Sequence, residues 1–202
     1  MYIKNLQINK DIIDGKPLKL DLGSGGVSVK KIYSVDHLAL DGVDIVADLN
    51  KPLDLLPDNS VDYIYSRHAL EHIQDFFMVM HEIHRISKPG GVIEIIVPHF
   101  SNIYGYSDPT HVRFFGLFTM HYFSKSENQP KARKVPPFYT EFKFKIKSIK
   151  IEFYRNDFID RIFSPILSRL VNSNIKYQEF YERRLSMIFH AWQITYIMEV
   201  DK

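Results

Sequence analysis

The hydrophobic and polar positions of the first half of the chain form an alternation of strand-like and helix-like segments. Short apolar runs recur there, and each has the length of a buried strand. These runs are residues 18–23, 31–36, 42–49, 61–66 and 92–98. Between the last two, apolar residues three and four positions apart predict a core-facing helix that ends at Pro89. Strands alternating with helices indicate a parallel sheet in an α/β fold.

The second half of the chain shows a different pattern. Residues 138–154 alternate as in a strand, but the apolar positions change from even to odd numbers after Ile146. Because side chains in a strand repeat every second residue, this change predicts a bulge near Ser148. Residues 157–189 predict two helices, and residues 191–200 predict a final strand.

Composition limits the class of protein. A chain of 202 residues with 45% hydrophobic content is expected to form one domain with an elaboration. The absence of cysteine excludes disulfides and thiolate metal sites, and fits a reducing, cytoplasmic compartment. No apolar run approaches the roughly 20 residues of a membrane span, so neither a signal peptide nor a transmembrane segment is expected.

Charge is distributed unevenly along the chain. Residues 1–123 have a net charge of −4 and residues 124–202 a net charge of +6. A basic half favours an anionic substrate or surface, although a solvated face is the simpler interpretation. The chain as a whole carries only +2, so nucleic acid is not an expected partner.

A glycine loop and two acidic residues mark the ends of the first three predicted strands. Gly23, Gly25 and Gly26 follow the first strand, Asp36 ends the second, and Asp48 lies in the third. Glycines let the backbone approach a ligand and leave N–H groups free, and carboxylates accept hydrogen bonds from ribose hydroxyls. Because parallel strands end at one edge of a sheet, these groups are expected to converge in a nucleotide-cofactor site.

Two classes of cofactor use this arrangement. Dinucleotides need G-x-G-x-x-G and a helix that begins at the loop, but Ser28 stands where the third glycine belongs. The segment from Gly26 to Lys31 also leaves little room for that helix. S-adenosyl-L-methionine carries no phosphate and depends less on a helix terminus, so the shortened segment argues against NAD more than against this cofactor.

Several motifs together resemble the class I S-adenosylmethionine-dependent methyltransferases of the small-molecule type, in a subgroup with a shortened first helix. They are LDLGSGG, VDIVADLNKPLDLLPDNSVDYIYSRHALEHI and EIHRISKPGGVIEIIVPHF, in the order of that family. The resemblance covers about residues 17–123. It implies a seven-stranded, mostly parallel Rossmann-like sheet with helices on both faces, its last strand antiparallel beside the fifth. Residues 1–202 are then one domain, in which 17–123 bind the cofactor and 124–202 add a basic loop, two strands and a helical insertion between them.

The resemblance also implies roles for individual residues toward S-adenosyl-L-methionine. The glycine loop wraps the amino-acid end of the cofactor, the end of the second strand meets the ribose, and the third meets the adenine. The residues that follow the fourth strand run under the methionine portion. The expected cofactor-binding residues are Asp21, Gly23, Ser24, Gly25, Asp36, His37, Asp48, Leu49, Ser66 and Arg67.

Three histidines are candidates for the general base of methyl transfer to a hydroxyl. A positioned histidine accepts a proton well near neutral pH, and methyl transfer needs an acceptor about 3 Å from the methyl carbon. His68, His99 and His111 lie on loops after strands, and Asp108 is placed to orient His111. A divalent metal on these histidines is the alternative, but no known ligand spacing supports it, so no metal is expected.

The acceptor is less defined by the sequence. The C-terminal segment resembles methyltransferases of surface-polysaccharide pathways, which makes the sugar of a surface polysaccharide the expected small-molecule acceptor, with O-methylation as the reaction. A nicotinamide oxidoreductase is disfavoured by Ser28, and a non-catalytic partner module remains the alternative. The predicted helix at 157–171 is a lid, a dimer face or a membrane-surface element, so monomer or homodimer and peripheral membrane contact stay open.

Overall fold

The computed structural model describes residues 1–27, 32–131 and 133–202. The predicted shortening of the first helix falls on residues 28–31 and lies outside the described residues. The strands are β1 (Tyr2–Ile3), β2 (Lys19–Leu22), β3 (Tyr33–Asp36), β4 (Ile45–Val46), β5 (Val61–Arg67), β6 (Ser87–Pro98), β7 (Lys143–Phe153) and β8 (Ala191–Asp201). The helices are α1 (Gln7–Ile13), α2 (Phe76–Ile86), α3 (Phe158–Val171) and α4 (Ile175–Arg184).

The strands form one sheet in the order β1-β4-β3-β2-β5-β6-β8-β7. Strands β4, β3, β2, β5 and β6 are parallel to one another, whereas β8 is antiparallel to both β6 and β7. The last strand, β8, thus lies antiparallel beside β6, which is the fifth of the predicted strands, and this prediction is confirmed. The sheet has one more strand than the seven predicted, because β1 adds antiparallel to the edge strand β4.

The core cluster packs against one face of β6. Ile93, Ile95 and Val97 of β6 are fully buried, and they join a cluster with Met80 and Ile83 of α2. Val92, on the opposite face of the same strand, is 38% exposed. Alternation of buried and accessible positions along β6 thus fixes which side chains the helix covers.

Helix α2 is shorter than the sequence pattern predicted. The Asp75 side chain caps it by accepting a hydrogen bond from the Met78 N–H at 2.9 Å, and a separate 3-10 turn, Leu70–His72, precedes it. At the other end, strand β6 begins at Ser87 and runs through Pro89. Helix α2 therefore ends at Ile86, three residues before the predicted end at Pro89, which lies within the strand.

The C-terminal elements follow the sequence pattern closely. The register between β7 and β8 shifts between Ile146 and Ser148, which confirms the predicted bulge. Helices α3 and α4 form the predicted insertion between the last two strands, and the side chains of Asp157 and Asn174 cap their N-termini. Of the helices that the structure describes, none has the length and apolar content that crossing a bilayer requires.

Candidate active site

A cavity of about 720 Å³ opens at the carboxyl ends of the parallel strands. Its volume falls within the range of about 300–1,000 Å³ that ligand pockets occupy. The residues that line it come from the segments after four neighbouring strands and from one later loop. They are Gly23, Gly25, Asp36, His37, Ala47, Asp48, Leu49, Asn50, His68, Ala69, His72, Ile73 and Thr110.

The glycine loop is held against β3 and against the segment after β5. The N–H groups of Gly23 and Ser24 donate to the Val35 carbonyl at 2.8 and 3.2 Å. Gly23 has φ +76°, and a Cβ there would lie 2.2 Å from the Cβ of Ala69. Gly25 has φ +61° but open space around it. Glycine is therefore required at position 23 for close packing as well as for its backbone angle.

The two glycines allow a matched test of this packing. Gly23→Ala is expected to lower the free energy of unfolding by about 2–4 kcal/mol, from left-handed backbone strain and overlap with Ala69 together. Gly25→Ala should lower the free energy of unfolding by about 1–2 kcal/mol, because only backbone strain applies there. Urea denaturation of both variants makes the comparison. Equal losses in the two variants would show that contact with Ala69 does not shape the loop.

Asp36 joins the glycine loop to the segment after β3. Its carboxylate accepts hydrogen bonds from the N–H groups of Gly25, at 2.8 Å, and Leu38, at 3.0 Å. The ring nitrogen Nδ1 of His37 lies 3.2 Å from Asp36 Oδ1. Asp36 is only 6% exposed, yet it lines the cavity. A carboxylate has about four lone-pair directions, so it retains capacity for a ligand hydroxyl.

Asp48 and Leu49 line the cavity just after β4. The Asn50 backbone N–H donates to Asp48 Oδ1 at 2.9 Å, and this hydrogen bond lowers the pKa of the Asp48 carboxyl. Leu49 is 7% exposed and presents an apolar surface beside it. Asn50 also lines the cavity and accepts the Gln74 N–H at 2.8 Å. Asn50 was not among the predicted site residues, although its position two residues after Asp48 was a sign in the sequence that it could line the same site.

Four of the predicted cofactor-binding residues lie beside the cavity rather than along it. Ser66 is buried and donates to the Leu22 carbonyl at 3.0 Å, and the Arg67 guanidinium lies 5.8 Å from the centre of the Trp192 ring. Asp21 is buried on β2, where burial and then the nearby Asp36 carboxylate raise its pKa to about 6. The Ser24 hydroxyl oxygen is also buried, and no described residue gives it a hydrogen bond. None of these four residues lines the cavity.

His68 presents a defined ring nitrogen to the cavity. Its Nε2 lies 3.0 Å from Gln193 Oε1, while Gln193 Nε2 donates to Glu152 at 3.0 Å. Because that amide oxygen only accepts, Nε2 of His68 carries the proton and Nδ1 keeps its lone pair. Burial lowers the pKa of His68, which favours this neutral ring. Its backbone φ of 52° is in the left-handed region, which is uncommon outside glycine and asparagine.

His99 lies elsewhere. It is 1% exposed, its Nδ1 accepts the Ser101 N–H at 3.1 Å, and its Nε2 lies 3.1 Å from Glu182 Oε1 on α4. Both ring nitrogens are therefore engaged, and the residue does not line the cavity. Its position ties the helical insertion to the end of β6.

His111 lies behind the cavity wall, in a cluster that the sequence analysis did not identify. Glu71 is 1% exposed, and its Oε1 lies 3.9 Å from His68 Nδ1 and 4.0 Å from His111 Nε2. Burial raises the pKa of the Glu71 carboxyl to about 7. His72, which was not a predicted site residue, lines the cavity. The signal for this cluster in the sequence was that His68, Glu71 and His72 lie within five consecutive residues.

Comparison with known proteins agrees with this architecture. Residues 33–95 match a family described as a methyltransferase domain. A demethylmenaquinone methyltransferase of Staphylococcus epidermidis is 28% identical over 144 residues, which cover 68% of this chain and 56% of that protein. The chain thus spans little more than half the length of that relative.

Solved structures show a similar fold. A SAM-dependent methyltransferase from Archaeoglobus fulgidus has a TM-score of 0.58 at 20% identity, covering 96% of this chain and 90% of its own. The YcgJ protein from Bacillus subtilis has a TM-score of 0.53 at 16% identity, covering 96% and 97%. The sheet order and these similarities define the fold of the class I S-adenosylmethionine-dependent methyltransferases.

The chain therefore has this fold, and its residues 33–95 match the methyltransferase domain family. The cavity lining fits S-adenosylmethionine. With that cofactor in the cavity, Asp36 would accept ribose hydroxyls, and Ala47 and Leu49 would offer apolar surface to an adenine ring. The open space at Gly25 would admit the amino-acid end.

Proposed function

We propose that this chain transfers a methyl group to an oxygen atom of a small-molecule acceptor. One observation carries the proposal: a single cavity joins the glycine loop and Asp36 to a wall formed by His68, His72 and Thr110. A cofactor against the first group leaves the second group free to face an acceptor. We further propose that residues 1–202 act as one domain, in which 17–123 hold the cofactor and 124–202 complete the acceptor side.

The proposed chemistry divides between the cofactor and the protein. S-adenosylmethionine supplies an electrophilic methyl group on a sulfonium. The protein holds both partners in line, and His68 Nδ1 accepts the proton of the acceptor hydroxyl while Gln193 fixes the ring through Nε2. His111 faces Glu71 behind the wall rather than the cavity, so in this proposal it acts on His68 and His72 indirectly. His99 has no place in the mechanism.

An acceptor with an apolar or aromatic portion fits the surroundings of His68. The Trp192 ring lies 6.2 Å from the His68 ring, and Tyr154 stacks on Trp192 at 6.4 Å. Trp192 is 37% exposed. Aromatic faces of this kind stack on sugars and on aromatic rings. We propose a sugar of a surface polysaccharide, in lipid-linked form, as the acceptor, with a quinone ring as the second candidate because of the demethylmenaquinone methyltransferase similarity.

The helix next to these aromatics carries an exposed apolar surface. Ser164 of α3 donates to the Tyr154 carbonyl, which places α3 beside the acceptor wall. The exposed apolar side chains of this helix are Phe158, Ile162, Phe163, Ile166 and Leu170. Arg161 and Arg169 flank them and are exposed. An apolar stripe with flanking cations is typical of helices that lie on anionic membranes, so we propose peripheral contact with such a surface.

Membrane contact is expected to depend on the two phenylalanines. Wild-type protein should co-sediment with phosphatidylglycerol vesicles at low salt, and the double variant Phe158→Ser/Phe163→Ser should bind at least about tenfold more weakly. Phe138→Ser is the control, because Phe138 is as exposed as Phe158, at 77%, but lies outside the helix. Equal binding by all three proteins, or binding by none, would remove the membrane proposal.

The acceptor can be found by labelling. The protein is incubated with methyl-labelled S-adenosylmethionine and separate sugar, quinone and lipid-linked extracts, and labelled products are identified by mass spectrometry. Label on oxygen of a sugar or lipid-linked sugar supports the proposal, and label on a quinone carbon selects the second candidate. If the cofactor binds but no extract is labelled, the non-catalytic partner module replaces the enzyme proposal.

A further inference from the structure

We propose that Glu71, His72 and His111 bind one divalent transition cation beside the acceptor wall. The three side chains each offer one ligand atom, and among the described residues these atoms all lie within 4.8 Å of one another. A carboxylate with two imidazoles is a donor set that suits zinc and related first-row cations. The residues come from the 3-10 turn after β5 and from the loop at 107–113, so only the fold brings them together.

Glu71 is the first reason to place a cation here. Both of its carboxylate oxygens are buried and have no hydrogen-bond partner among the described residues. A buried polar group without a partner costs about 1–3 kcal/mol, and more when it is charged. His68 and His111 approach to about 4 Å but do not bond to it. A cation bound between the carboxylate and the imidazoles would satisfy these oxygens.

His72 is prepared to act as a ligand by its own hydrogen bond. Thr110 Oγ1 donates its single proton to Asp108 Oδ1 at 2.5 Å. The same oxygen therefore accepts from His72, whose Nδ1 lies 2.8 Å away. Nδ1 of His72 then carries the proton, and Nε2 keeps a free lone pair. Ligating histidines usually donate their second N–H in this way, which fixes ring orientation and tautomer.

His111 completes the donor set from the opposite side. Its ring meets the His72 ring edge-on at 4.8 Å, and its Nε2 lies 4.0 Å from Glu71 Oε1. Ligands about 2.0–2.2 Å from a tetrahedral cation lie about 3.3–3.5 Å apart, so side-chain movements of about 1 Å close the site. Asp108 Oδ2 lies 3.7 Å from His111 Nε2, so the cluster carries a second negative charge that favours a cation.

The role of the cation rests on the proposed function, whereas its binding does not. His72 and Thr110 line the cavity, so a cation on His72 borders the space for an acceptor. There it would polarise the acceptor oxygen and ease loss of its proton to His68. The same cluster would then serve two steps of one reaction, acceptor binding and deprotonation.

Metal binding is tested directly on the full chain after treatment with a chelator. Titration calorimetry and elemental analysis with Zn²⁺, Mn²⁺ and Mg²⁺ should show one equivalent of Zn²⁺ or Mn²⁺ per chain, and Co²⁺ should give visible absorption bands. Glu71→Gln and His72→Ala should weaken binding by more than the roughly 10–100-fold typical of outer-shell changes, and Thr110→Val should fall within that range. His81→Ala is the control, since its side chain is 57% exposed and lies on α2.

Binding of S-adenosylhomocysteine, measured in the same variants, separates this proposal from the proposed function. Retained cofactor binding with loss of metal supports the assignment and shows that the variants are folded. No stoichiometric metal in the wild-type protein, or unchanged affinity in Glu71→Gln, would overturn it. Loss of methyl transfer in Glu71→Gln without any bound metal would also overturn it and would assign the buried carboxyl to proton transfer.

Discussion

His68→Asn is expected to lower kcat by about 10²–10⁴-fold, the contribution that a positioned general base typically makes. The hydrogen bond to Gln193 engages Nε2 of His68 and leaves the lone pair on Nδ1 free. Asparagine is the chosen replacement because it tolerates the positive φ of 52° at this position, so the turn after β5 should persist. The rate is measured with the acceptor that the labelling experiment identifies.

Two comparisons make the His68 result specific. Affinity for S-adenosylhomocysteine should stay within a few-fold of the wild-type value, because His68 lies on the acceptor side of the cavity. Gln193→Leu removes the group that fixes the ring, and it should lower kcat less than His68→Asn does. Normal turnover by His68→Asn would mean that another group or solvent takes the acceptor proton, and that His68 is not the base.

Asp36→Ala is expected to weaken cofactor binding by about 10–150-fold. The carboxylate is placed to accept ribose hydroxyls, and hydrogen bonds to a charged group contribute about 1.5–3 kcal/mol each. The change also removes the hydrogen bond that holds the Gly25 N–H at 2.8 Å. Titration calorimetry with S-adenosylhomocysteine measures the effect.

Asp48→Ala is the matched comparison for Asp36. The Asp48 carboxylate is 41% exposed and already engaged by Asn50, so its loss should weaken binding less. Unchanged affinity in Asp36→Ala, or a larger loss in Asp48→Ala, would place the ribose elsewhere in the cavity. Near-native denaturation curves for both variants are required for the comparison.

The parts of the fold that the sequence predicted are those set by local pattern. Strands β2, β5 and β8 follow continuous apolar runs, and the bulge near Ser148 follows from a change of phase in a period of two. Strand β1 has only two residues, too few to show a period. The start of α2 depends on the Asp75 cap, which competes with the apolar stripe upstream.

The residues of the candidate site also divide into those that the local sequence pattern predicts and those that it does not. Asp36, Asp48 and the glycines follow strand ends, so the geometry of a parallel sheet brings them together. The contact that engages Nε2 of His99 comes from Glu182, which lies 83 residues further along the chain. The Glu71 cluster likewise depends on a loop 40 residues away and on burial, neither of which the local pattern contains.

The central claim is that this cavity binds S-adenosylmethionine, and thermal unfolding with S-adenosylhomocysteine tests it most directly. At 100 times Kd a ligand stabilises the folded state by roughly 2.7 kcal/mol, which corresponds to a rise in Tm of about 5–10 °C for a chain of this size. A rise of this size is expected with S-adenosylhomocysteine, no rise with NAD, and a reduced rise in Asp36→Ala. A rise with NAD, or none with S-adenosylhomocysteine at millimolar concentration, would contradict it.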